Sequence, residues 1–331
     1  MEIVLKDRDA GYCNLKLLLM TMVVYGHLIE PMIYDNKILY EIYRIVYLVH
    51  MPMFTFLSGL FLRNIRSCLA QAGKAIIYYI VFQSIYLVFD FCVNQRIGSI
   101  ITPYWHLWYL LSLALWSLIG ALYYLMEDRL KWKWQIKMIV VIVAIATGCF
   151  AGGIKEIDYR LSLSRTLVFL PYFLAGVLCK METGWNRYCK IGAGVLIVSM
   201  ILYVIIRGRL PVEFLWQSQG YGVLEFENGC VLRIICYILG GGISFFLLTN
   251  MTKKRFFFTK IGSDTMFIYV MHIPAVMFFH KILSLDWRHI IAAPLEAVLI
   301  MLLLYKIFQW NSQIFIIRGK TWKETCGDGS V

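Results

Sequence analysis

His27 and His50 are the residues of this chain best suited to chemistry, because each is an imidazole set inside a long apolar run, LKLLLMTMVVYGHLIEPMIY and ILYEIYRIVYLVHMPMFTFLSGLFL. An ionisable side chain at membrane depth is costly, so it marks a working site or a tightly partnered packing contact. An imidazole with an ordinary pKa of about 6.5 suits general-base work at neutral pH and is also a nucleophile able to accept an acyl group. Glu30 follows His27 by three residues. It therefore shares the same helical face, from which a carboxylate can orient the ring and raise its basicity. For His27 the competing interpretation is an interhelical hydrogen bond without chemistry; for His50 it is a packing hydrogen bond ahead of a kink at Pro52.

Other polar groups are graded by expected depth. His272, in SDTMFIYVMHIPAVMF, is expected in the inner half of a bundle. His106, in YWHLWYLL, is expected near the outer surface, where Trp105, Trp108 and Tyr109 look like interfacial anchors. His280 and His289 are taken as structural, and Glu296 needs a partner or a wet cavity. The His-rich clusters of membrane di-iron enzymes are missing, as are HExxH, GxSxG and a phosphate-binding glycine loop. No metal is expected. The GGG at 240–242 lies in an apolar run and reads as close helix packing.

These groups must be positioned by membrane helices. The chain has 331 residues, 60% hydrophobic and 16% charged, with a mean hydropathy of +0.69, too little polar surface to enclose a soluble globule. Ten apolar runs, roughly 15–34, 42–62, 75–94, 106–126, 138–153, 165–180, 190–206, 231–250, 265–283 and 290–307, approach the length of a helical span. The expected fold is all-α, a polytopic membrane helical bundle of about ten transmembrane helices. Residues 15–310 read as one membrane domain, between an N-terminal segment 1–14 and a C-terminal tail 311–331.

The net charge of +12 is not a nucleic-acid footprint, because the basic residues gather in alternate loops, such as Arg129, Lys131, Lys133 and Lys137, and then Lys253, Lys254, Arg255 and Lys260. That bias predicts an even number of spans with both termini in the cytoplasm; the chain is expected in the plasma membrane. The charged start MEIVLKDRDAGYCN reads as no cleavable leader, so the first helix is expected to act as its own insertion signal. Nine cysteines without CxxC spacing indicate neither a disulfide framework nor a thiolate metal site. At about 1.5 Å per residue, His27 lies about 18 Å above the inner end of the first span and His50 about 12 Å below the outer end of the second. In a hydrocarbon layer of about 30 Å those depths coincide. Residues 207–229 are expected outside as a cap over a cavity, their Glu213, Glu225 and Glu227 either contacting substrate hydroxyls or simply solvated.

Five segments, taken in order, resemble the acyltransferase 3 family of integral membrane acyltransferases, in particular its short, sugar O-acetylase-like forms. KLLLMTMVVYGH is similar to the family's first-helix motif of a basic residue, ten residues and a histidine, here Lys16 and His27. HMPMFTFLSGLF resembles its second-helix motif, HLWYLLSL its His-Leu-Trp-Phe-Leu segment, LPYFLAGVL its Pro-x-Phe-x-x-Gly helix, and IGSDTMFIYVMH a late segment ending in Tyr-x-x-His. Two departures stand out. Cys13 occupies a position that is commonly acidic, and Arg63 and Arg66 fit an Arg-x-x-Arg pattern at the end of span two. The usual pair opens span three, where this chain has Gln71 and Lys74.

The resemblance implies transfer of an acyl group, most often acetyl, from cytoplasmic acetyl-CoA to a hydroxyl of a glycan or glycolipid. Lys16, Arg63, Arg66 and Lys74 would meet the CoA phosphates. His27, supported by Glu30, would act as general base or carry the acyl group itself, and His50 would position a reactant or stabilise an oxyanion. His106, Trp108, His272, Glu225 and Glu227 are the candidates for acceptor contacts. A rival class is a transporter using the same His and Glu side chains, which predicts interrupted helices in two related halves; no such internal symmetry is visible. A non-catalytic glycan- or lipid-binding scaffold is a third.

Overall fold

A computed structural model describes residues 2–154, 157, 159–179, 185–224, 228–263, 265–283 and 292–316, and these contain helices and turns but no strand. The helices are α1 (Glu2–Ile29), α2 (Lys37–Leu60), α3 (Ile65–Asn94), α4 (Trp108–Leu130), α5 (Trp134–Ala151), α6 (Leu163–Leu178), α7 (Cys189–Ile206), α8 (Val212–Leu215), α9 (Gly229–Asn250), α10 (Thr265–Leu283) and α11 (Ala293–Ile316). All but the short α8 correspond to the ten expected spans.

Eight helices are long and apolar enough to cross a membrane, and Phe257–Ser263 with Thr265–Lys281 makes a ninth as a bent span. The helix that falls short is α2, which carries Lys37, Glu41, Arg44 and His50. Its surroundings explain the tolerance. It is walled in by α1, α4, α6, α8 and α9, and a helix shielded from lipid needs no continuous apolar surface. The outward faces of α3 and α7 behave oppositely, exposing Ile77, Val81 and Val88, and Ile197, Ile201 and Val204, as lipid contact requires.

Local signals set the helix ends. The Asn36 side chain accepts from the Ile38 N–H at 2.8 Å and caps α2, and Asn64 with Ser67 forms a capping box at the start of α3. Small residues then let the backbones touch. A Cβ on Gly59 would overlap the Phe173 carbonyl oxygen and one on Gly176 the Phe56 carbonyl oxygen, so α2 and α6 are in backbone contact. The GGG of α9 divides its work: Gly240 faces the Leu48 carbonyl of α2, Gly242 faces Ser199 of α7, and Gly241 meets nothing within 4 Å. Glu296 of α11 has His280 of α10 as an electrostatic neighbour, and its buried Oε2 makes no hydrogen bond among the described residues.

Candidate active site

Pro31 cannot continue α1 and leaves a tight 3-10 turn, Glu30–Met32, at its end. That turn holds the Glu30 carboxylate one turn above His27, with Oε2 2.9 Å from Nδ1. With Nδ1–H donated to the carboxylate, the neutral ring keeps its lone pair on Nε2. The His27 side chain is 11% exposed and forms part of the wall of a cavity of about 730 Å³, a size typical of small-molecule sites.

Lys16 lines the other end of this cavity, its ammonium 5.6 Å from the centre of the Phe61 ring, with Gln71, Lys74 and Ser263 around it. Arg63 and Arg66 are not in the lining. They flank Asn64 at the exposed junction of α2 and α3, whereas Gln71 and Lys74, one and two turns further along α3, face inward. The cavity wall therefore takes the span-three pair rather than the span-two arginines.

The three histidines expected at different depths come together. The His272 ring lies 5.2 Å from that of His27 and 5.0 Å from that of His106. The inner-half placement of His272 is thus corrected: Phe257–Ser263 already packs along the start of α1, so a short stretch of α10 brings His272 level with His27. It is fully buried behind the other two rings and does not line the cavity. Its Nδ1 lies 2.6 Å from the Tyr269 carbonyl oxygen.

His106, Trp108 and Tyr109 are likewise not surface anchors, being 3%, 8% and 9% exposed. The cause is the chain before them. Residues 99–104 fold back onto α3, where the buried Gln83 donates to the Ser99 and Thr102 carbonyls and accepts from the Tyr104 N–H, and Tyr79 donates to the Ile100 carbonyl. This carries His106 down among Tyr86, Tyr269 and His272, and His106, Trp108 and Tyr109 all line the cavity. Trp105, 43% exposed, keeps an outward edge while its ring meets His27 at 5.4 Å.

His50 lines the same cavity but does not join the cluster: its Nδ1 is 2.6 Å from the Val46 carbonyl oxygen of its own helix, and its ring packs edge-on against Tyr47. The cap expected from residues 207–229 is present in its described part. Arg44 donates to the Arg207 and Leu210 carbonyls, the Trp216 indole donates to the Tyr43 hydroxyl at 3.1 Å, and Leu215 and Trp216 close the wall at the His27 end. Glu213 is turned away, accepting from the Tyr34 hydroxyl, and burial, followed by the Glu213 carboxylate, pushes that phenol's pKa up. Glu225 and Glu227 lie outside the described residues, as does His289.

The cavity has one further charged lining residue, Arg165, which the spacing of the sequence does not single out. It belongs to the first turn of α6 and its guanidinium reaches the cavity. The available signal was the polar pattern Ser162, Ser164, Thr166 interleaved with an apolar run: these side chains dock the head of α6 onto Ser112 and the Gln217 carbonyl.

The sequence model of the acyltransferase domain family, acyltransferase 3, matches residues 11–305, a stretch containing His27, Glu30 and the histidines packed around them. No curated protein and no solved structure matches the chain.

Proposed function

The chain belongs to this acyltransferase family, and from that premise we propose that it moves an acyl group, acetyl foremost, from cytoplasmic acyl-CoA to a hydroxyl of a cell-surface glycan or glycolipid at the plasma membrane. The observation that carries the proposal is the His27–Glu30 pair, 2.9 Å apart, on the wall of a cavity whose far end is lined by Lys16 and Lys74. Family membership favours transfer chemistry over transport by the same side chains.

Donor phosphates meet Lys16 and Lys74, and the thioester extends along the cavity toward His27. Nε2 of His27 takes the acceptor hydroxyl proton as that oxygen attacks the thioester carbonyl; the C–S bond then breaks, and the departing thiolate takes the proton back from the imidazolium. Glu30 holds the ring and offsets the transient positive charge. A two-step variant uses the same atoms: Nε2 attacks the thioester first, giving an acyl-imidazole that the hydroxyl then opens. A neutral His50 that donates Nδ1–H to Val46 offers the cavity only an acceptor, so it suits positioning a hydroxyl rather than stabilising an oxyanion.

Purified protein incubated with radiolabelled acetyl-CoA and a panel of glycans tests this directly. Acceptor labelling is expected in the wild type and at least about 10²-fold less in His27→Ala; equal labelling of both sinks the assignment. Label bound to the protein without acceptor separates the two-step route from direct transfer.

A further inference from the structure

Arg165 stands in the first turn of α6, just after two residues in an unusual backbone conformation. Leu161 and Ser162, immediately before α6, have φ of 50° and 56°, a left-handed conformation that residues with a Cβ adopt only when the surroundings impose it. Trp105, which lines the same cavity, and Gln217, next to the lining residue Trp216, have φ of 22° and 57°. The fold accepts strain at this mouth and at no comparable run elsewhere among the described residues, the other two cases being the single αL caps Gln95 and Lys131.

The guanidinium is clamped. It lies 4.8 Å from the Trp108 ring centre and 5.1 Å from that of Tyr159, and its Nε donates to the Trp216 carbonyl oxygen at 2.8 Å. Nη1 is buried and has no hydrogen-bond partner. Among the described residues the ion pairs are His27–Glu30, Arg44–Glu41, Lys131–Asp128 and Lys137–Glu127, so no described carboxylate pairs with Arg165. A cation at this depth without a described counter-charge is costly, and the open Nη1, with its two N–H donors, suits an oxygen of a carboxylate or phosphate.

Arg233 provides the contrast. It is stacked in the same way, over Phe214 and Tyr221, but borders a void of about 20 Å³ that it shares with Gln217, room for one water. Arg165 instead opens on the cavity of about 730 Å³.

We propose that the His27 end of the cavity is an oxyanion-recognition subsite built on Arg165, and that the acceptor is therefore an acidic hydroxyl compound, its carboxylate or phosphate seated on the guanidinium while its hydroxyl faces His27. This rests on the acyl-acceptor role given to that end of the cavity above.

The test is equilibrium binding of methyl glucoside, methyl glucuronide and a glucose phosphate monoester to the purified full-length protein without donor, for wild type, Arg165→Gln and Arg165→Lys. At least one acidic ligand is expected to bind the wild type about tenfold tighter than the neutral one, and which acid it is identifies the group recognised. That preference is expected to vanish in Arg165→Gln and to shrink in Arg165→Lys, which keeps the charge without the fork. Equal affinity for all three ligands in the wild type, or a preference that survives Arg165→Gln, overturns the subsite. So does a fall in acetyl transfer in Arg165→Gln that is the same for neutral and acidic acceptors, with KM unmoved, since that marks a purely transition-state role. Should Arg165→Gln not fold, an undiminished preference in Arg165→Lys is the overturning result. Because binding is read without acetyl-CoA, an acidic preference with no acetyl transfer sinks the proposed function alone, and transfer without any preference sinks the subsite alone.

Discussion

Lys16 and His27 lie on one face of α1, about 16 Å apart along its axis, and line the two ends of one cavity. The spacing produces this by itself. Eleven residues make just over three helical turns, so the second side chain returns to within about 20° of the first. A cationic entrance and an oriented imidazole are thereby held on a single rigid element.

Glu30→Gln keeps an oxygen that can accept the Nδ1–H of His27 but removes the charge opposite the imidazolium. We expect kcat to fall about 10²-fold with KM little changed. Steady-state kinetics check it, and a change below about twofold would mean that the carboxylate serves only to shape the end of α1.

At the other end, Lys16→Ala and Lys74→Ala are each expected to raise the donor KM about tenfold, the worth of one charge-assisted hydrogen bond. Arg63→Ala and Arg66→Ala, outside the cavity lining, are expected to change it less than about twofold. Donor titrations at low and high salt decide the matter; larger effects from the arginines than from the lysines would return the phosphate site to the α2–α3 junction.

Gln83→Leu removes the three hydrogen bonds that Gln83 makes to residues 99–104. The expected cost is about 1–3 kcal/mol in thermal unfolding. Trypsin should also cut faster after the exposed Arg96, because the loop that delivers His106 loses its anchor. Unchanged cleavage would show that Tyr79 and the aromatic contacts suffice.

Two adjacent glycines offer an internal control. Gly240→Ala should lower the unfolding midpoint, since its Cβ would crowd the Leu48 carbonyl oxygen and the Tyr172 hydroxyl. Gly241→Ala meets open space and should stabilise α9 by up to about 1 kcal/mol through helix propensity. The same sign for both would contradict the packing of α9 against α2.

What the sequence settled alone was whatever depends on the period of a single helix. Runs of apolar residues marked the ten helices, the i to i+3 spacing put Glu30 on His27, and the ten-residue gap put Lys16 in line with it. Each is a short-range consequence of 3.6 residues per turn. Depth and neighbourhood were a different matter. His272 and His106 look distant from one another because span counting takes each helix to begin at the membrane face, whereas here Phe257–Ser263 packs across α1 before α10 begins and residues 99–104 turn back along α3. Trp108 and Tyr109 are buried for the same reason, and the place of Arg165 depends on hydroxyl contacts between the head of α6 and α4 that no local spacing reveals. Such contacts join residues far apart in the chain, so only the packed bundle could decide which polar groups share the cavity and which of them find no partner.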